Sequence, residues 1–332
     1  MDNKGISVVI PNFNGRELLP EILPPLFIAL KATNLSYEVI VCDDCSKDDS
    51  INYILSNFPE IHLLKQETNK GFSPTVNKGI FAARYDYVFV MNNDLKVTEH
   101  YFNPLFKYFE DEKTFGVMGR INEWDTDTIQ DAAKYPYFQG AKIKTNKNYY
   151  AETPQPNDRL YSIYLSGANA FVDRKKIIEL MGFNELFAPF YVEDFELSLR
   201  AWRMGWKCYY EHHAVCYHKT SVTIKKKKSK NYIRQIYNRN KFFLHAIHLN
   251  SFQLAQWFIQ LFFEMLFNIL KLNIGFLKSF YLFAREIKKV SKSRKELAML
   301  AIKNKVELLD TKLVVQTLKN KIDSFKTIKF TA

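Results

Sequence analysis

The sequence predicts an α/β fold built on a mostly parallel sheet with helices on both faces, followed by a helical C-terminal extension. Three observations carry this. Short, continuously apolar runs recur at residues 6–10, 37–42, 61–65 and 87–91. Strands covered on both faces are apolar throughout instead of alternating, and helix-length segments between them imply parallel crossovers. Three of these runs end abruptly in polar residues, Pro11-Asn12, Asp43-Asp44 and Asn92-Asn93-Asp94. From Tyr232 onward the composition changes to helix without strands.

Between the strands, helices are expected over 18–31 despite its prolines, over about 48–57, and over 74–84. After Val117 the alternation weakens. Residues 122–160 are polar, aromatic and rich in turns, so an irregular insertion facing a substrate is expected there. Order returns with a strand over 160–165, the turn Ser166-Gly167-Ala168-Asn169-Ala170 and a helix from about Arg174. A helix over 193–204 stops at Gly205, and a strand over 215–217 follows.

At 332 residues and 47% hydrophobic content the chain buries a full core. Its 47 Lys+Arg against 35 Asp+Glu leave a net charge of +12. The excess gathers in Lys225 to Lys228 with Lys230, and between Lys271 and Lys329. The surrounding Phe, Leu and Trp favour an anionic lipid surface over nucleic acid, for which no binding motif is present. Cys42 and Cys45 form a C-x-x-C that invites a zinc reading. Cys208 and Cys216 have the wrong spacing to complete it, so four incidental thiols are expected. The N-terminus opens directly into a strand without a secretory signal, which points to the cytoplasm.

In the C-terminal region Gln253, Gln256, Gln260, Glu264, Asn268, Lys271, Gly275 and Lys278 draw one narrow polar stripe through an apolar background. A spanning helix does not carry such a stripe unless it packs on partners. The expectation is a helix lying in the plane of a membrane surface, with basic flanks at Lys288, Lys289, Lys292, Arg294 and Lys295. Packing on the body or in a homo-oligomer is the other reading.

The polar strand ends suggest chemistry. In open α/β sheets the carboxyl edge of the strands is where ligands bind. Asp94 beside carboxamide oxygens suits Mg2+ or Mn2+ carrying a diphosphate, although Asn and Asp also end strands by turning the chain. Pro11, Asn12 and Asn14 could meet a base. One carboxylate of Asp43-Asp44 could accept from a pyrimidine N–H while the other caps a helix. Gly71 lies in a turn entering a helix and allows close approach to a ligand. Glu193 and Asp194 open a helix, where acids are favoured in any case; Asp194 could serve as a general base for a hydroxyl. His218 could join Asp94 on one metal.

Taken together, V-V-I-P-N-F-N-G, D-D-C-S-K-D-D-S, N-K-G-F-S-P-T-V-N-K-G-I, M-N-N-D, S-G-A-N-A and V-E-D-F-E-L-S-L-R-A resemble the family 2 glycosyltransferases, inverting enzymes of the GT-A fold, over about residues 5–245. Tyr237-Asn238-Arg239-Asn240 and the aromatics after it look like the membrane-associated rhamnosyl and galactosyl transferases of glycan assembly. The resemblance implies a catalytic domain over 1–225, with a nucleotide-sugar half at about 1–121 and an acceptor half at about 122–225, and a basic amphipathic region over 226–332. It implies that Pro11, Asn12, Asn14, Asp44, Gly71, Asn77 and Asn93 bind the nucleotide sugar. Gly167, Ala168 and Glu193 would form the acceptor shelf, Asn92, Asp94 and His218 the metal site, and Asp194 the base. The expected donor is a UDP- or dTDP-sugar, and the acceptor a glycan or polyprenyl-diphosphate-linked saccharide. Asn92 stands where many members carry Asp, and no Q-x-x-R-W motif is present, which disfavours a processive synthase. A nucleotidyltransferase, which should carry a Gly-rich basic loop after the first strand, and a non-catalytic membrane-bound scaffold are the competing readings.

Overall fold

The computed structural model describes residues 3–219 and 229–331, so Lys225 to Lys228 and the expected boundary near 225 lie outside the described residues. Four parallel strands form one side of the main sheet: β1 (Gly5–Asn12), β2 (Ser36–Asp43), β3 (His62–Lys65) and β4 (Tyr87–Met91). They lie in the order β3-β2-β1-β4. The crossovers run through α1 (Leu19–Lys31), α2 (Ser50–Asn57) and α3 (Phe72–Ala82). Because β2 and β4 flank β1 on opposite sides, the chain reverses its direction of travel there and opens a crevice at the carboxyl ends of β1 and β4.

Beyond β4 the sheet becomes mixed. β11 (Asn169–Asp173) runs antiparallel between β4 and β6 (Thr114–Glu123), and β12 (Lys207–His218) runs parallel to β6. The short strands β5 (Leu95–Val97), β7 (Ile129–Asp131) and β10 (Leu160–Tyr161) pair along β12 and β6. Alternate residues of β1 serve opposite faces: Ile6, Val8 and Ile10 pack towards α1, and Val9 packs towards α3. Fully burying each such aliphatic side chain contributes about 1.5–3 kcal/mol.

Residues 122–160 differ from the irregular insertion expected. β8 (Ala133–Gln139) and β9 (Lys142–Ala151) form an antiparallel hairpin. The hairpin is completed by β13 (Thr327–Phe330), which pairs with β9. The C-terminal region is therefore not free of strands. Lys134 of β8 and Asn148 of β9 are buried and bond to each other, and the pairing shifts register between Tyr135 and Tyr137, which blurs the period-2 pattern.

The body also contains α4 (Arg174–Glu179) and α5 (Glu193–Arg203). The C-terminal helices are α6 (Lys230–His248), α7 (Ser251–Leu270), α8 (Ile274–Arg285), α9 (Ile287–Lys303) and α10 (Thr311–Asp323). They share one continuous core with the body: Phe243, Trp257, Phe283, Val290 and Leu318 are buried in the same cluster as Val192, Phe195 and Leu199. The polar stripe of α7 turns inward. Gln253 is buried against Asp310, Gln260 Oε1 accepts from Ala141 N at 2.8 Å, and Glu264 pairs with Lys142. Gln256, Lys271 and Lys278 are the members of the stripe that stay exposed. All four cysteines are free thiols.

Candidate active site

The carboxyl ends of β1, β2 and β4 meet through side chains. Asn12, almost fully buried, donates from Nδ2 to Asp43 Oδ1 at 2.9 Å and to Ser46 Oγ at 3.2 Å. Its Oδ1 accepts from Asn93 Nδ2 at 3.0 Å. Pro11 lies beside Cys42 in the paired strands. Asn14 takes a left-handed turn (φ 53°), accepts from Lys47 N at 2.7 Å, and donates its own amide to Ser46 Oγ at 2.9 Å. Gly15 follows because a Cβ there would lie 2.3 Å from Asn12 Oδ1 and 2.4 Å from Asn93 Nδ2. Asp44 is filled from the next loop: Oδ1 accepts from Lys70 N at 2.8 Å and Oδ2 from Gly71 N at 2.9 Å. Gly71 itself (φ +86°) leaves no room for a side chain against Pro189, whose carbonyl accepts from Phe72 N.

Asp94 and His218 face each other at the end of β4. Asp94 Oδ1 lies 3.3 Å from His218 Nε2. The oxygen is buried and makes no hydrogen bond among the described residues. The other ring nitrogen, Nδ1, lies 3.0 Å from Gln130 Oε1. In the tautomer that donates Nδ1–H to this oxygen, Nε2 presents its lone pair towards Asp94. Two lone-pair donors held together, one of them a desolvated carboxylate oxygen, are costly unless a cation lies between them. Donors about 2.0–2.2 Å from one metal and at right angles stand about 3 Å apart, so the pair fits a divalent ion. Asn92 emerges beside them with its side-chain amide unbonded among the described residues. Among the described residues no third His, Cys, Asp or Glu joins the pair. A hard cation with two protein ligands completes its shell with phosphate oxygens and water, as Mg2+ commonly does.

The base corner is built differently. Tyr191 and Val192 both adopt left-handed backbone (φ 73° and 74°) before α5 begins at Glu193. For an aromatic and a β-branched residue this is strained, costing about 1–3 kcal/mol each. Asn240 of α6 holds the segment in place by donating from Nδ2 to the carbonyls of Phe187, Phe190 and Tyr191 at 2.7, 3.1 and 2.8 Å. Asp194 accepts from Gly167 N at 3.3 Å and from Phe195 N at 2.7 Å. Burial pushes its pKa above the ordinary aspartate value, and the two amides and Lys134 oppose that shift. Glu193 is more extreme: burial and then the Asp194 charge push it up to about 8, and its Oε2 makes no hydrogen bond among the described residues.

The two corners are joined at Gly167-Ala168. Gly167 N donates to Asp194, while Ala168 O accepts from Asn92 N at 3.1 Å. The fold thus brings Asn12, Asn14, Asn92, Asn93, Asp94 and His218 to one edge and couples Gly167, Ala168, Glu193 and Asp194 to it. Asn77 does not join them. Its Nδ2 donates to Phe183 O and Glu185 Oε1, and its Oδ1 accepts from Phe183 N, which makes it a clasp between α3 and residues 183–185. Sequence reading gave Gly15, Gln130 and Asn240 no role of their own in the site. Asn-Gly at 14–15 was the available signal for Gly15, and the Asn-Arg-Asn run for Asn240.

Comparison with known proteins agrees with this geometry. Residues 7–181 match the model of glycosyl transferase family 2. The chain is 26% identical over 241 residues to the chondroitin synthase of Escherichia coli, covering 64% of this chain and 34% of that protein. It is 29% identical over 97 residues to the undecaprenyl-phosphate 4-deoxy-4-formamido-L-arabinose transferase of Yersinia enterocolitica, covering 28% of this chain and 30% of that protein. The chain therefore spans about a third of the length of these curated relatives. Among solved structures, GalNAc-T7 with UDP, GalNAc and Mn2+ superposes with a TM-score of 0.66 at 14% identity, over 97% of this chain and 58% of that one. The shared architecture is the GT-A fold.

Proposed function

The chain belongs to glycosyl transferase family 2, and from that premise we propose an inverting, metal-assisted transfer from a UDP- or dTDP-sugar to a hydroxyl of a glycan or polyprenyl-diphosphate-linked saccharide, in surface polysaccharide synthesis of the bacterial type. The observation that carries this reading is the link from Asp194 through Gly167-Ala168 to Asn92-Asn93-Asp94. It sets a raised carboxylate and a cation-ready carboxylate–imidazole pair on either side of one short turn. The relatives support the substrate classes: a chondroitin synthase, an undecaprenyl-phosphate transferase and a structure holding UDP with Mn2+. The acceptor is met at the cytoplasmic face of the plasma membrane, where the C-terminal region keeps the enzyme peripheral.

In this mechanism the Asn12–Asp43–Ser46 network and the Asp44-held loop orient the nucleotide, with Pro11 and Asn14 along the base. Asn92, Asp94 and His218 would hold Mg2+ or Mn2+, which would offset charge on the departing diphosphate. Asp194 takes the proton of the acceptor hydroxyl as that oxygen attacks the anomeric carbon and the bond to the diphosphate breaks on the opposite face. One displacement inverts the configuration. Asp194→Asn tests the assignment: donor binding, read by thermal shift at saturating nucleotide sugar, is retained while transfer is lost. Near-normal transfer by the folded variant would overturn it.

A further inference from the structure

Helix α7 carries its apolar side outward. With Gln253, Gln260 and Glu264 turned into the body, the rest of the helix displays Phe252, Phe262, Phe263 and Phe267 at 55–70% exposure, and Leu270 at 82%. Ile274 continues the patch into α8 at 75%. A soluble monomer does not leave such a contiguous aromatic ridge in water without a partner. Gln253, Gln260, Glu264 and Asn268 satisfy their polar groups within the protein, which leaves Gln256 as the exposed carboxamide of α7.

We infer that this ridge is a seat for an anionic lipid bilayer, entered from the side by α7 and the start of α8. Charge decides between the possible occupants. Between residues 271 and 303 the chain has nine Lys or Arg and two Glu. One of these cations sits on the ridge itself, Lys271 Nζ at 4.2 Å from the centre of the exposed Phe267 ring, and further along α8 the Arg285 guanidinium lies 5.7 Å from that of the exposed Tyr281. Aromatic rings at the acyl boundary with cations among the headgroups are the pattern of an interfacial helix. Two copies meeting ridge to ridge would instead oppose like charges around an apolar core. No helix among the described residues is long and apolar enough to cross a membrane, so the ridge lies on the surface.

The placement also bears on the reaction. Lys142 of β9 pairs with Glu264 of α7, and Lys142 and Lys144 lie close enough to help depress Lys241, whose ammonium stands 5.5 Å from the Phe195 ring beside Asp194. The membrane-facing helix is thus tied to the acceptor side of the base corner. This inference rests on the proposed function for the identity of the lipid-linked acceptor, but not for the surface itself.

The test needs no activity. The full chain is floated with vesicles of phosphatidylcholine, and of phosphatidylcholine with phosphatidylglycerol, beside the triple variant F262S/F263S/F267S. Binding to the anionic vesicles is expected, weakening with salt and falling at least about tenfold in the variant. The variant keeps its UDP-induced thermal shift, which shows that the body is folded. Absence of vesicle binding by the wild type, or equal binding by the variant, overturns the inference. So does a concentration-dependent dimer, seen by sedimentation without lipid, that the same substitutions abolish. Loss of transfer in Asp194→Asn with vesicle binding intact leaves the two proposals separately judged.

Discussion

Two neighbouring carboxylate pairs, Asp43-Asp44 and Glu193-Asp194, sit at comparable places, each where the chain passes from an extended or turning segment towards a helix. Their surroundings are opposite. Each oxygen of Asp43 and Asp44 accepts at least one hydrogen bond, from Asn12, Ser46 N, Lys70 N and Gly71 N. At the second pair burial raises both groups, and Glu193 Oε2 accepts nothing among the described residues. The first pair is satisfied and shapes loops. The second is held at an electrostatic cost, the pattern expected of the general base proposed there. Identical residue types therefore differ in role through the donors the fold supplies.

The largest effect that would break this contrast is at Asp194. Asp194→Asn is expected to lower kcat by roughly 10²–10⁴, the range for loss of a positioned general base. Glu193→Gln, which copies the protonated form, is expected to stay within a few-fold of wild type near pH 7 in the same assay. Comparable losses in both variants would erase the distinction.

The pH dependence sharpens it. Glu193 stands at about 8 in the folded protein against an ordinary 4.5. A carboxyl raised on folding contributes stability that is full below 4.5 and is lost as pH rises towards about 8. Asp194 acts in the same direction. Wild type and Glu193→Gln should therefore melt alike near pH 4.5, with the variant gaining progressively up to pH 8. Calorimetric scans across that window check the sign. Transfer should rise with pH as Asp194 loses its proton, with a midpoint above that of an ordinary aspartate.

Much of this was legible in the sequence. Unbroken apolar runs such as Tyr87–Met91 fixed the parallel half, and a polar strand end had to emerge at the sheet edge. The Asp94–His218 meeting and the Glu193-Asp194 helix start were likewise readable from the family pattern. The β8–β9 hairpin was not, because Lys134 and Asn148 are buried and break the alternation that marks a strand. Nor was the direction of the α7 stripe: a helical wheel gives the polar side, but Ala141, Lys142 and Asp310 decide that this side faces protein. Asn77 reads as a ligand contact in the motif and proves a clasp, since its partners Phe183 and Glu185 lie more than a hundred residues away.

Asn240 offers a smaller test, as a positioning residue. Asn240→Ala leaves three carbonyls without their donor, so a loss of about 2–3 kcal/mol in unfolding free energy is expected. Because Tyr191 lies beside the base corner, kcat should fall more than the donor KM rises. Asp44→Ala is expected to do the reverse. Freeing Lys70 N and Gly71 N loosens the donor loop, which raises the donor KM several-fold with kcat little changed. A matched kinetic pair reads both.

The least effect is expected one step behind the metal. Gln130 fixes which nitrogen of His218 carries the proton. Gln130→Leu removes that acceptor, so the ring is free to place its proton on Nε2, where it would donate to Asp94 Oδ1 and close the site to a cation. Outer partners of this kind typically contribute about 10–100-fold in metal affinity. The Mn2+ concentration for half-maximal transfer should rise by that factor, while transfer at saturating Mn2+ recovers most of the wild-type rate. His218→Ala, lacking the ligand itself, should not recover as fully. If the two variants titrate alike with wild type, the carboxylate–imidazole pair is a hydrogen-bonded end of β4 like the Asp43 network, and the contrast between satisfied and poised carboxylates would narrow to Glu193-Asp194.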